Sequence, residues 1–282
     1  MAINFNDPEV TNRAETKLEQ NLQVSTMFKS FGIEPATKLT GIELRMLPPL
    51  VKDNRTPRIF PFPGFANLYC LTIVVSDVNN QLAGVIDLKG FQRIGDNEHL
   101  PINKTLYYWQ QKNDNEIAPN QIHIHCTVIK SKESLRDVGE ILASLKTNNE
   151  YKELTEQLKN LATATTPAGA VIDIVTSVAG VVGNLLGKVE DKPLGTAVRS
   201  FTSLRGEFDL IGITPVKIET RNVDFNFEVV VRDPNREKAL FSAMKNEGRE
   251  LPKDSDIEHI LSSVHVADIK EKFQENSALL IV

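Results

Sequence analysis

Apolar and polar residues alternate along two long parts of the chain, at about residues 39–130 and 194–233. In "NVDFNFEVVVRD", residues 222–233, Val223, Phe225 and Phe227 alternate with Asp224 and Asn226. A two-residue period places apolar side chains on one face of a strand and polar ones on the other. The pattern predicts strands at residues 40–47, 68–77, 83–91, 105–110, 121–130, 194–206, 208–219 and 222–233.

The period becomes helical between residues 131 and 188. Three helices are predicted there, from the stripe that ends at Leu145, the stripe that runs from Tyr151 to Leu161, and the segment that Thr166-Pro167 opens. Asp7-Pro8 predicts another helix, with an N-cap acceptor followed by proline at the first helical position, running to Gly32. The chain after residue 233 again has helical spacing, and its apolar tail "SALLIV" is expected to dock on the body or to add to a sheet edge.

Strands on both sides of a helical stretch, without regular βαβ alternation, argue against a doubly wound parallel sheet. The predicted fold class is mainly β with helical additions (α+β). We expect an antiparallel eight-stranded β-sandwich over residues 39–233 with a three-helix insertion at 131–188. A helical arm at 1–38 and a helical region at 234–282 complete the predicted organisation.

The stretches "LYCLTIVVSD", "GVIDLKGF" and "FNFEVVVRD", with a long helical insert between strands, resemble the pattern of C2-type sandwiches. The resemblance implies docking on a partner or on lipid. C2 domains that bind calcium gather aspartates in loops at one end, because this cation takes six to eight oxygen ligands. Asp77, Asp96 and Asp233 are the corresponding candidates, and solvated turn residues are the alternative interpretation.

The segment at 168–186, within "PAGAVIDIVTSVAGVVGNLLGK", is the most apolar part of the chain. On a helical wheel its large apolar residues occupy one half, and Asp173 lies among small residues on the other. The separation of apolar and polar residues onto two faces favours a helix that packs on protein. On the second face, Gly180, Gly183 and Gly187 would allow another backbone to approach closely. Insertion into a membrane is the alternative.

Two histidines in "HIHC" form the clearest local motif. His123 and His125 share one face of the predicted strand, as two zinc ligands on one strand must, and Ile122, Ile124 and Cys126 form the opposite, core-facing row. A third ligand would have to come from another histidine or a carboxylate. A polar outer face of the sheet, covered by the helices, is the competing interpretation.

Composition narrows the function classes. The net charge of -5 and scattered basic residues argue against a nucleic-acid partner. Both cysteines, Cys70 and Cys126, fall in apolar strand-like runs, where a thiol behaves as a small buried hydrophobe. The start of the chain lacks the features of a secretory signal, so a cytoplasmic location is expected.

Several apolar side chains could instead contact a partner. The loop "RIFPFPGF" carries Phe60, Phe62 and Phe65, Trp109 follows two tyrosines, and the apolar helix contributes Val178, Val182 and Leu185. The sequence contains neither a nucleophile elbow nor a phosphate-binding glycine loop.

We therefore expect a non-enzymatic interaction or structural module. It would bind protein partners or itself, without a cofactor, and could be a subunit of a larger assembly. A membrane-associating or pore-forming protein that uses residues 168–186 is the first alternative. A metal-dependent enzyme around His123 and His125 is the second.

Overall fold

Two β-sheets that pack face to face form the body of the protein. The computed structural model describes residues 3–13, 39–57, 64–78, 81–112, 116–161, 168–203, 207–208, 212–232 and 278–280. The strands are β1 (Thr11–Arg13), β2 (Gly41–Val51), β3 (Ala66–Val78), β4 (Gln81–Ile94), β5 (Glu98–His99), β6 (Lys104–Gln110), β7 (Gln121–Ser131), β8 (Gly195–Thr202), β9 (Gly212–Glu219), β10 (Val223–Arg232) and β11 (Ala278–Leu280).

The two sheets mix early and late parts of the chain. Sheet A has six strands in the order β1-β8-β7-β3-β4-β11, and all its neighbours are antiparallel except β1 and β8. Sheet B has the order β5-β2-β10-β9, with β6 also paired to β2. The prediction of a mainly β fold with helical additions is therefore confirmed. Each predicted run forms a strand, but a total of eight is too low, because the short strands β1, β5 and β11 are added.

Three helices lie in the connection between β7 and β8, as predicted. They are α1 (Val138–Thr147), α2 (Asn149–Asn160) and α3 (Ala168–Leu185). Asp137 caps α1 by accepting the Glu140 amide, and Asn148 both ends α1 and caps α2 by accepting the Tyr151 amide. Gly187, with φ of +93°, follows the end of α3 in a conformation that favours glycine.

The helical insertion leaves and re-enters sheet A at one place. A β-bridge joins Ser131 to Val189, the Lys132 amide donates to the Lys188 carbonyl at 2.9 Å, and the Glu190 amide donates to the Lys130 carbonyl at 2.9 Å. The two ends of the insertion are therefore hydrogen-bonded neighbours.

Two apolar layers hold these elements together. The first lies between the sheets, where Met46, Phe225 and Phe227 of sheet B meet Leu68, Cys126 and Phe201 of sheet A. The second lies between the other face of sheet A and the helices, where β3 contributes Tyr69, Leu71, Ile73 and Val75 and α3 contributes residues such as Val182. β3 is buried on both faces because it serves both layers, which explains its nearly continuous apolar sequence.

The N-terminal prediction is wrong where the structure describes it. Asp7 does begin a turn, since its carboxylate accepts the Glu9 amide and its carbonyl accepts the amides of Val10 and Thr11. The turn is not propagated, because the chain extends into β1 and pairs with β8. Burial of Ile3 and Phe5 on the body overrides the local helix signal. The rest of the predicted arm, and the predicted C-terminal helices, lie outside the described residues.

Candidate functional site

The histidine row is the face of β7 that points away from sheet B and carries His123, His125 and Thr127. Ile122, Ile124, Cys126 and Val128 of the same strand lie in the layer between the sheets, as the alternation predicted. Both histidines are buried under the covering layer, each with 1% of its surface exposed. Pairing with β8 sets Ser200 opposite His123, Val198 opposite His125 and Thr196 opposite Thr127.

His123 has both of its ring nitrogens engaged. Nδ1 lies 2.7 Å from Ser200 Oγ, and Nε2 lies 3.1 Å from Gln121 Oε1. An amide oxygen can only accept, so Nε2 carries the proton and Nδ1 accepts from the Ser200 hydroxyl. Burial lowers the pKa of His123 to about 4. The ring is therefore a neutral, hydrogen-bonded part of the sheet at neutral pH.

His125 contrasts with its neighbour. Neither of its ring nitrogens has a hydrogen-bond partner among the residues that the structure describes. The ring packs edge-on against Phe5, with centroids 5.6 Å apart and an interplanar angle of 74°. Burial lowers the pKa of His125 to about 4, a contact with its own backbone opposes this shift, and the cation of Arg13 adds to it.

The geometry does not complete a zinc site at the histidine row. Across the described ranges, no three His, Cys, Asp or Glu side chains come together in a group that could hold a metal ion. Both nitrogens of His123 are also already bonded within the sheet. We therefore do not assign His123 and His125 as metal ligands, since zinc requires at least three protein ligands in an arrangement of this kind.

The predicted calcium candidates do not converge. Asp77 lies next to the β3–β4 turn, and Asp96 follows β4 at the opposite end of the same strand pair, roughly 40 Å away for strands of this length. Asp77 accepts the backbone amides of Asn120 and Gln121 and so fixes the entry to β7. Asp96 accepts the Asn54 amide at 2.8 Å. Asp77 and Asp96 cannot share an ion, and Asp233 lies outside the described residues.

Both cysteines are buried free thiols in the layer between the sheets, as predicted. The Thr72 hydroxyl lies 3.4 Å from the Cys126 sulfur. The neighbouring Cys126 thiol and burial raise the pKa of Cys70 well above its usual value. An enclosed thiol is a poor nucleophile, so both cysteines have a packing role.

The predicted contact residues fall into three groups. Phe65 is 42% exposed, and the Arg93 guanidinium lies 5.1 Å from its ring centroid. Trp109 is half-buried against the layer between the sheets. Val178 and Val182 are buried in the layer between the helices and sheet A, and Leu185 packs against that layer. The prediction that these three side chains contact a partner is therefore wrong for the docked helix, because they pack within the chain. Phe60 and Phe62 lie outside the described residues.

The apolar helix α3 lies on protein. Its exposed residues form a narrow polar stripe of Gly169, Asp173, Ser177 and Asn184. At Gly183 an added Cβ would lie 2.9 Å from Ile3 Cδ1 and 3.4 Å from Phe5 Cζ, so the glycine permits the N-terminal residues to pack closely. Among the helices of the described ranges, none has both the length and the apolar character needed to cross a membrane.

Comparisons with protein-family models, curated proteins and solved structures found no match to this chain. The C2-like resemblance therefore stays a prediction, and the function has to be inferred from the residues themselves.

Sequence reasoning missed the partners of the histidines. Ser200 follows β7 by about 70 residues, and only the β7–β8 register brings it to His123. Phe5 could have been found, because Ile3 and Phe5 alternate with polar neighbours in "AINFN", as in an extended segment with one buried side.

Proposed function

We propose that the protein is a non-enzymatic interaction module that binds extended segments of protein along β4 of sheet A and serves in a larger assembly. The observation that carries this proposal is the pairing of Ala278–Leu280 with β4. These residues add antiparallel to the edge, with Ala278 opposite Ile86, Leu279 opposite Val85 and Leu280 opposite Gly84. Strand addition recognises a peptide through main-chain hydrogen bonds, so an edge that accepts one apolar segment is suited to others.

The strands β4 of sheet A and β9 of sheet B differ in the residues that could prevent a further strand from pairing. β4 has 14 residues and contains no proline, and only its residues 84–86 pair with β11 within the described chain. The edge strand β9 of sheet B carries Pro215 near its middle and exposed Lys217 and Glu219. Proline and charge are common means of protecting an edge from pairing. β4 also carries charged residues, such as Lys89 and Arg93, so it is the proline of β9 that distinguishes the two edges. Sheet A therefore offers the accepting edge.

The packing of the chemically active side chains also supports an interaction role. His123, Asp77 and Cys70 are each used inside the fold, as a bonded ring, a loop acceptor and a core thiol. A C2-like sandwich, which the sequence resembles, would serve the same purpose by docking on a partner.

A peptide-binding experiment tests the proposal. A fluorescent peptide of residues 273–282 is titrated against the chain that lacks residues 278–282, and binding is followed by anisotropy. A second peptide carries proline at both Leu279 and Leu280, because successive strand amides point to opposite sides and one of the two must face β4. The matched control carries alanine at both positions and keeps the amides.

We expect the natural and alanine peptides to bind and the proline peptide to fail. Light scattering of the full chain at high concentration then shows whether the edge joins copies of the protein. A truncated chain that binds none of the peptides would refute the proposal, as would equal binding of the proline and alanine peptides.

A further inference from the structure

The N-terminal strap, residues 3–13, covers the outer end of the histidine row. Ile3 and Phe5 are buried, and both reach Gly183 of α3. Phe5 also forms the edge-on contact with His125. The strap therefore closes the space between α3 and β7, and its departure would expose all of these groups together.

Hydrogen bonds and ion pairs also hold the strap on the body, among them the bond from Asn12 Nδ2 to the Glu219 carbonyl at 2.6 Å and the pairs of Glu9 with Lys192 at 3.7 Å and Arg221 at 3.9 Å. The Asn4 amide donates to the Asp191 carbonyl at 2.9 Å, and the Thr196 amide donates to the Val10 carbonyl at 2.8 Å. β1 adds only three parallel pairs to the edge of β8, and Asp7 pairs with Lys192 at 2.5 Å. A short segment at a sheet edge opens at a lower free energy than the body unfolds.

The strap closes over a polar group that it leaves unsatisfied. Among the described residues, His125 has no hydrogen-bond partner at either nitrogen, a rare situation for a buried side chain. Ile73 of β3 and Val198 of β8 flank it in register. A proton added to this ring creates a buried cation among apolar neighbours, with only its own backbone in polar contact, whereas a ring freed from the strap can be hydrated.

We propose that the N-terminal strap is an acid-released latch, in which protonation of His125 displaces residues 3–13 and uncovers the Gly183 face of α3.

The charged groups around His125 favour release. Arg13 on β1 is a second cation that opposes the proton. His123, on the same strand, is held by Ser200 and Gln121. α3 carries one titratable residue, exposed Asp173, ten residues before Gly183 and thus about 15 Å along the helix. β3 and β8 present apolar residues to the ring.

The ion pair between Asp7 and Lys192 does not explain an acid effect near pH 5. Lys192 and the Glu9 amide lower the pKa of Asp7, so its carboxylate stays charged there. The latch therefore depends on the imidazole and not on loss of the Asp7–Lys192 pair.

The change in the open population follows from linkage. With a pKa of about 4 under the strap and ~6.5 once released, the open population rises about 30-fold between pH 7.5 and pH 5.

Amide hydrogen exchange on the full chain measures this change. After correction for the intrinsic pH dependence of exchange, protection of the Asn4 and Thr196 amides should fall about 30-fold from pH 7.5 to pH 5. Trp109 fluorescence reports the layer between the sheets and should remain native. Unchanged protection of the two amides overturns the latch, and so does loss of protection that coincides with the Trp109 unfolding signal.

Substitution assigns the effect to one ring. His125→Phe and His125→Leu replace the imidazole by side chains that do not titrate, so both should abolish the pH dependence of protection. The control His99→Ala removes an exposed histidine of β5 and should keep that dependence. Persistence of the dependence in a folded His125 variant overturns the proposal.

A reciprocal measurement works even if those variants do not fold. Phe5→Ala weakens the strap without removing the imidazole, so the pKa of His125, followed by NMR, should move from about 4 toward its ordinary value. An unchanged titration of His125 in folded Phe5→Ala overturns the latch. None of these results depends on whether the β4 edge binds peptides.

Discussion

Gly195, at the start of β8, lies against the connection from β9 to β10, and its replacement by alanine should destabilise the protein strongly. A Cβ at this position would lie 2.3 Å from Thr220 Oγ1 and 3.0 Å from Val223 Cβ. The hydroxyl cannot simply rotate away, because it donates to the Val223 carbonyl at 2.7 Å and accepts the Val223 amide at 3.2 Å.

The expected cost has two parts. Overpacking a tight site costs about 1–3 kcal/mol, and each disrupted hydrogen bond of Thr220 costs about 0.5–1.5 kcal/mol. With both hydrogen bonds disrupted, we therefore expect Gly195→Ala to lower the free energy of unfolding by about 2–6 kcal/mol. Gly180→Ala is the matched control, since the described residues leave its Cβ position open. In a helix that change should be neutral or stabilising by up to about 1 kcal/mol.

A double-mutant cycle isolates the contact. Thr220→Ala removes the obstructing hydroxyl, so it should cost less in the Gly195→Ala background than in the natural protein, with a coupling of at least about 1 kcal/mol. The free energies come from urea unfolding followed by the fluorescence of Trp109, the single tryptophan. A cost for Gly195→Ala below about 0.5 kcal/mol, or additive effects in the cycle, would show that the sheets do not meet as described.

Three further predictions concern buried polar groups. The pKa of His123 is about 4 in the folded protein and ~6.5 in the unfolded chain, so the unfolded chain binds a proton first as the pH falls. The free energy of unfolding should consequently drop by about 2 kcal/mol between pH 7.5 and pH 5 on account of this ring, and urea titrations should show a smaller drop for His123→Asn. Asp77→Ala leaves the amides of the β7 entry without their acceptor, for which we expect a loss of about 2–4 kcal/mol in urea unfolding; a loss no larger than that of an exposed aspartate would contradict the described loop. Cys70 and Cys126 should react with a thiol reagent only after denaturation, and rapid labelling of the native protein would disprove their enclosure.

Most strands could be predicted because their apolar residues follow from burial: a strand with one buried face alternates, and a strand with two buried faces is apolar throughout. β10 alternates, with Phe225 and Phe227 in the layer between the sheets and Asn226 on the other face. β3 is nearly continuous in apolar residues because both of its faces are buried. The strands β1 and β5, of three and two residues, are too short to show a period.

The sequence predicted the positions of the two histidines on β7 but not the residues that contact them. Alternation placed His123 and His125 on the outer face of β7 and allowed for a cover, but the contact with His125 that the structure shows comes from Phe5 of the strap. The helix signal of Asp7-Pro8 hid that segment, because a local cap is compatible with a single turn as well as with a helix. The bonding of His123 depends on long-range register, which residue spacing alone does not encode.

The adjacent ends of the helical insertion have a consequence for how the chain folds and varies. Without structure, the roughly 60 residues between Ser131 and Val189 would form a loop whose closure costs about 3–4 kcal/mol before β7 and β8 could pair. Helices that form locally bring the two ends of this loop closer together. The insertion should therefore fold before β7 and β8 pair. Since the ends meet as in a hairpin, homologous chains could gain or lose helices at this point without any change in the register of sheet A.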